Sequence, residues 1–174
     1  TTTIGDKVYF PDDKLSDPKQ VWPVLAHEFV HMYEARRLTK VIWALRYLVP
    51  QILTLLSMLS ILAIWCSNYW LLNLLWVLCI APLPAYFRFR EELEAYTMNI
   101  AIRHWNGDAY ITTYLDKLAE NFYGAYYYYM WPFKGHVRDE LRSQYVDVLL
   151  KKYDTREPYA SVKNIIEVVN KEYD

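Results

Sequence analysis

Residues 27–31 read His27-Glu28-Phe29-Val30-His31, the H-E-x-x-H pattern. On a helix, positions i and i+4 stand one above the other on a single face. Two imidazoles so placed can reach one zinc ion, whose bonds to nitrogen are only about 2.0–2.1 Å long. The glutamate beside the first histidine then addresses the metal's open position, where it can take a proton from water. His27 and His31 are therefore the candidate zinc ligands, and Glu28 is the candidate general base. The plain alternative is a surface helix that carries two histidines by chance.

Catalytic zinc generally takes a third protein ligand. Residues 88–98 read RFREELEAYTM, a helical pattern with three closely spaced carboxylates. Glu91, Glu92 or Glu94 can serve, as can His104 or His136. Carboxylates that do not bind metal are expected to be solvated acidic residues at a helix start.

The elements that must hold these groups follow from the flanking sequence. Residues 1–10, TTTIGDKVYF, read as a strand or hairpin turning at Gly5-Asp6, and Pro11-Asp12-Asp13-Lys14 reads as loop. Ser16 or Asp17 caps a helix that opens at Pro18 and runs to about residue 38. Pro23 inside it predicts a kink or a later start near Trp22. The histidines share a stripe with Val24 and Glu34 and are expected to face inward or into a cleft, while Glu34 can pair with Arg37 at the surface.

Composition then changes abruptly. Residues 47–65 and 66–87 carry no charge until Arg88. A 19-residue helix is about 28 Å long, close to the thickness of a bilayer's hydrocarbon core. The runs read as a hydrophobic helical hairpin, 47–87, with its tip at Ser67-Asn68. Trp43, Tyr47, Trp65, Tyr69, Trp70 and Tyr86 lie near the ends of the runs, as interfacial aromatics do. Arg36, Arg37, Lys40 and Arg46 before the hairpin, with Arg88 and Arg90 after it, put both ends on the cytoplasmic side by charge bias. The competing reading is a hairpin buried in a soluble helical core, which a domain this small would struggle to enclose.

HEFVH, a hydrophobic hairpin and then an E-x-x-A helix resemble the integral-membrane zinc metallopeptidases, namely the HtpX heat-shock proteases and the CAAX prenyl proteases. The resemblance covers roughly residues 20–105. In that family the third ligand is the glutamate of an E-x-x-A-D motif. The matching stretch is Glu92-Leu93-Glu94-Ala95-Tyr96, so the resemblance implies Glu92 as the ligand. Tyr96 replaces the family's aspartate, whose supporting role is left open. The phenol lies at i+4 from Glu92 and could supply part of that role. The opening TTTIGDKVYFP ahead of the H-E-x-x-H helix also resembles minimal gluzincin-like peptidase domains of phage and bacterial injection systems. That likeness implies a strand edge that holds an extended peptide.

Beyond the third-ligand segment the chain reads as helices. His104 precedes a turn at Asn106-Gly107-Asp108; a helix at 109–122 buries Ile111, Tyr114, Leu115, Leu118 and Phe122; further helices follow at 136–152 and 159–172, the last peripheral. The aromatic segment 123–133 reads as packing or a membrane-surface belt, or as the source of one tyrosine that donates a proton to an oxyanion. His136 or Arg138 could stabilise the same oxygen.

Composition bounds the rest. The chain has 174 residues with a net charge of −1, which implies no nucleic-acid partner. Hydrophobic residues make up 54% and aromatics 17%, an excess that must enter a core or lipid. With 4 glycines, a turn-rich all-β fold is disfavoured. Cys66 and Cys79 lie in apolar runs and read as small buried hydrophobes. The first forty residues contain no apolar segment of signal-peptide type, and with Thr1 first the expectation is a processed or trimmed form.

The expectation is thus a single, mainly α-helical, zincin-like domain over 1–174, with a small N-terminal β element and an inserted hydrophobic hairpin, 47–87, that is a candidate membrane span. The expected function is a zinc-dependent endopeptidase with Zn²⁺ on His27, His31 and Glu92, Glu28 as base, and a protein or peptide substrate. The competing class is a structural or membrane-inserting protein, such as a virion or assembly component, whose metal site is structural or vestigial.

Overall fold

The computed structural model describes residues 2–4, 7–9, 18–49, 51–80, 84–125 and 129–173. The fold is mainly helical. Strands β1 (Thr2–Ile4) and β2 (Lys7–Tyr9) pair antiparallel, with Thr3 opposite Val8. The expected turn at Gly5-Asp6, the loop 11–14 and the cap at Ser16 or Asp17 lie outside the described residues.

Helix α1 (Pro18–Leu38) starts at Pro18 rather than near Trp22 and carries Pro23 inside it. Its buried face is Ala26, His27, Val30, His31 and Glu34, a spacing of three and four residues that marks one stripe of a helix. The histidines therefore do face inward. Thr39 breaks the chain sharply, with φ at 71°, and its hydroxyl caps the amide of Ile42. A β-branched residue with positive φ costs roughly 1–3 kcal/mol. The bend sends α2 (Lys40–Leu48) back alongside α1 and α3.

The hairpin differs from expectation in extent and winding. Residues 47 and 48 belong to α2 and residues 86 and 87 to α3, so its arms are Gln51–Ile64 and Asn68–Ile80. Both are 3₁₀ helices, which rise about 2.0 Å per residue and seldom run this long. Nothing in either arm's sequence accounts for that winding. The turn falls at 65–67, beside the expected tip. The arms pack on each other, and no side chain of Gln51–Ile64 is buried. The described residues of this chain therefore do not enclose the first arm in a helical core. Cys66 is exposed at the tip, contrary to expectation, while Cys79 is buried at the base.

Among the described residues no single helix is long and apolar enough to cross a membrane. Lys40–Leu48 and Gln51–Ile64 reach that length and composition only as a pair, bent by 77°.

Helix α3 (Tyr86–Trp105) is the axis of the body, and every residue from 95 to 102 is buried. Helices α1, α2, α4 (Ile111–Tyr123), α5 (Lys134–Leu149) and α6 (Tyr159–Tyr173) all pack against it. Phe89 lies stacked on Trp131 at 4.8 Å and meets the edge of Phe122 at 5.4 Å. Helix α6 is not peripheral. Tyr159, Val162 and Ile166 are buried, and the Tyr159 hydroxyl donates to the Glu94 backbone oxygen at 2.8 Å.

Removing a fully buried phenylalanine costs about 3–5 kcal/mol. Phe89→Ala should lower stability by that order in chemical denaturation. Leu75→Ala, at a hairpin position 64% exposed, should change it by less than about 0.5 kcal/mol.

Candidate metal centre

Helix α1 supplies His27 and His31 from its buried stripe, and α3 brings Glu92 between them. Nε2 of His27 lies 3.5 Å from Glu92 Oε2, and Nε2 of His31 lies 3.8 Å from Oε1. The imidazole centroids are 5.0 Å apart and nearly perpendicular, at 78°. Glu92 is 2% exposed, His27 7% and His31 9%. A tetrahedral ion with bonds of about 2.0–2.1 Å separates its donor atoms by roughly 3.3 Å. The three donor atoms all lie within 4.8 Å of one another. Side-chain rotations of a few tenths of an ångström to about 1 Å would close them on one cation.

The pattern of satisfied and unsatisfied atoms points the same way. Glu92 Oε1 accepts a 2.6 Å hydrogen bond from the Tyr47 hydroxyl. Glu92 Oε2 is buried with no hydrogen bond among the described residues, since 3.5 Å to His27 is too long for one. A carboxylate oxygen left bare beside two imidazole nitrogens is costly for the fold and well suited to a cation.

Burial works against the charge of Glu92. The facing imidazoles, His27 foremost, and the Tyr47 hydroxyl outweigh it and hold the carboxyl down at about 2. Burial pushes His31 below the usual histidine value, and His27 adds to that, although Glu92 pulls the other way. At neutral pH the centre therefore presents a carboxylate and a neutral His31 ring, the forms that bind metal.

The other carboxylates of the segment are each taken. Glu91 accepts from Trp43 Nε1 at 3.3 Å and lies 3.9 Å from Arg46. Glu94 pairs with Arg156 at 2.7 Å and accepts from the Tyr159 hydroxyl at 3.1 Å. Neither is a solvated residue at a helix start, because α3 begins at Tyr86 and the whole segment lies inside the helix. Glu34 is buried, yet it does pair with Arg37, at 3.2 Å.

Several expected participants lie elsewhere. His104 faces the Tyr145 ring. His136 accepts from Trp131 Nε1 at 3.1 Å, and Arg138 reaches Asp116 on α4 at 3.8 Å. Tyr126, Tyr127 and Tyr128 lie outside the described residues, and Tyr129 is exposed. Glu28 stands next to His27 on α1, half-buried.

Two aromatic residues that the sequence placed at a membrane interface are part of this centre. Trp43 and Tyr47 stack on each other at 5.0 Å, and both rings approach His31. Their i, i+4 spacing and polar tips, directly after the H-E-x-x-H helix, were the available signal, since buried Trp and Tyr tips seek partners. The Tyr96 ring meets His27 at 4.7 Å, and its hydroxyl accepts from Asn121 at 3.0 Å, while the Tyr47 phenol donates to Glu92. Nδ1 of both histidines lacks a hydrogen-bond partner among the described residues. Metal-binding histidines usually donate from that second nitrogen.

No family model, no curated protein and no solved structure matches this chain.

Two outcomes are expected here. Tyr47→Phe should weaken zinc binding by about tenfold or more in competition with a chelator, the usual effect of losing a group that supports a ligand. In the metal-free protein, unfolded His31 takes up a proton near 6.5 while folded His31 waits for a lower pH. The unfolded chain then binds more protons, so stability should fall as pH drops below 6.5. Depressed Glu92 adds to the loss below 4.5, as pH falls toward 2. Denaturant midpoints at pH 7.5 and 5.5 check this, and His31→Gln should flatten the difference.

Proposed function

We propose that this protein is a zinc-dependent endopeptidase. The observation that carries the reading is the buried triad of His27, His31 and Glu92, with Glu28 on the same helix and no fourth protein ligand among the described residues. Structural zinc sites are closed by four protein ligands, while catalytic ones keep a position open. The chain's other histidines, His104 and His136, are engaged elsewhere. The reading agrees with the resemblance of HEFVH and Glu92-Leu93-Glu94-Ala95 to the integral-membrane zinc metallopeptidases.

His27, His31 and Glu92 would hold the ion. Bound there, zinc supplies Lewis acidity: it polarises a carbonyl and brings the pKa of water toward 7. Glu28 takes the proton of the attacking water and passes it to the leaving amine. Tyr47 fixes the Glu92 carboxylate through Oε1, and Trp43 fixes its neighbour Glu91. The Tyr47 phenol already donates to Glu92, so it is not assigned the oxyanion.

The same proposal seats the hairpin in lipid. Leucines are exposed along both arms, with Leu55, Leu72, Leu75 and Leu78 each more than 60% exposed, which fits an apolar surround better than one protein partner on one face. Arg46, Arg88 and Arg90 flank its base, the side that carries the metal centre, and by charge bias that side is cytoplasmic. Full-length protein should float with lipid vesicles, and the double variant Leu72→Asp, Leu75→Asp should not. Native protein that stays in the soluble fraction would contradict this placement.

The scaffold alternative draws on one observation, the bare Nδ1 atoms of both histidines, which are unusual for a tuned catalytic zinc. Two variants separate the readings. Glu28→Gln should keep zinc and lose about 10²- to 10⁴-fold in the rate of cleavage of a denatured protein. Glu92→Ala should lose the zinc, read by elemental analysis. Zinc-loaded native protein that cleaves nothing favours the scaffold.

A further inference from the structure

A cleft of about 500 Å³ is lined in part by Tyr96, whose ring also meets His27. That is within the roughly 300–1,000 Å³ of clefts that take ligands. Helix α3 lines it with Tyr96 and Arg103, seven residues apart on one face, and α4 lines it with Tyr114, Lys117, Leu118 and Asn121. Tyr96 is the shared wall. Its ring lies 4.7 Å from the His27 ring, while its hydroxyl accepts from Asn121 inside the cleft.

The lining has a definite chemical character. It holds two cations and no carboxylate. Arg103 is pinned, since it pairs with Asp108 and its guanidinium lies 3.9 Å over the Tyr114 ring. Lys117 has no ion pair among the described residues and is exposed at the rim. The faces of the tyrosines and Leu118 offer apolar wall, and the phenols and the Asn121 amide offer donors.

We infer that this cleft is a substrate-binding site that takes a carboxylate-bearing peptide segment with an apolar neighbour, the carboxylate meeting Lys117. The inference deepens the peptidase reading and rests on it for the word substrate; the binding site stands without cleavage. The carboxylate could belong to an acidic side chain or to a free C-terminus, and both present the same charge to Lys117. Lys117 is a specificity-determining residue on this account. It is remote from the reacting atoms and acts on binding.

The test uses full-length zinc-loaded protein and dye-labelled hexapeptides of sequence Ala-Ala-Phe-Glu-Ala-Ala, the Gln counterpart, and both with free or amidated C-termini. Anisotropy reads binding on the Glu28→Gln variant, so that cleavage does not interfere. An exposed ion pair is worth up to a few-fold in affinity and weakens with salt. The Glu peptide, the free acid or both should bind about three- to fivefold tighter than the neutral counterpart. Lys117→Ala should remove that preference, and Lys117→Glu should reverse it toward a Lys-containing peptide. With cleavable substrate and otherwise native protein, Lys117→Ala should raise KM and leave kcat unchanged. A preference that survives both Lys117 substitutions, or no preference at all, overturns the inference. A Lys117-dependent preference without cleavage by native protein sinks the peptidase reading and leaves the binding site standing.

Discussion

The structure turns on one buried carboxylate. Glu92 sits at the middle of the most enclosed helix of the fold, 2% exposed, and still ionises far below the ordinary glutamate value. Burying a charge in such a place is costly unless partners surround it. The partners come from two neighbouring helices: two imidazoles from α1 and a phenol from α2. That requirement fixes how α1 and α2 lie against α3. It also explains why one carboxylate oxygen is left facing nitrogen at a distance too long for a hydrogen bond and close to what a shared cation needs.

Helix α2 has two jobs that follow from its two faces. Trp43 and Tyr47 point at Glu91 and Glu92, while Val41, Ile42, Leu45 and Leu48 remain exposed. The helix leads directly into the first arm of the hairpin, with a bend of 77° between them. The positive φ at Thr39 makes this return possible. The helix that supports the third member of the triad is thus the one that leads into the apolar hairpin.

Much of this was legible in the residues, and the remainder was not for definite reasons. The i, i+4 spacing placed His27 and His31 on one face, and the stripe at 26, 27, 30, 31 and 34 is the face that is buried. Charge-free runs marked the hairpin. The helices at 111–123, 134–149 and 159–173 fall within a few residues of their periodic patterns. Spacing alone left Glu91, Glu92 and Glu94 equivalent, because three neighbouring helix positions point in different directions only once the helix has neighbours. The resemblance pointed to Glu92, and the fold turns that residue to the histidines while Glu91 and Glu94 turn to Arg46 and Arg156. Tyr47 and Trp43 read as interfacial in sequence because an amphipathic ring suits lipid headgroups and a buried polar partner equally well. The 3₁₀ winding of the arms left no mark in the sequence, and α6 looked peripheral because the burial of Tyr159 depends on α3 rather than on its own pattern.

A peptidase at this site requires a cation held by His27, His31 and Glu92 with one position left open. X-ray absorption at the zinc edge of the reconstituted full-length protein tests it most directly. The predicted result is one zinc per chain with two imidazole nitrogens and oxygen ligands at about 2.0–2.1 Å, one oxygen being lost in Glu92→Ala. A zinc bound through thiolate sulfur, a sphere closed by four protein ligands, or no stoichiometric zinc at all would contradict it.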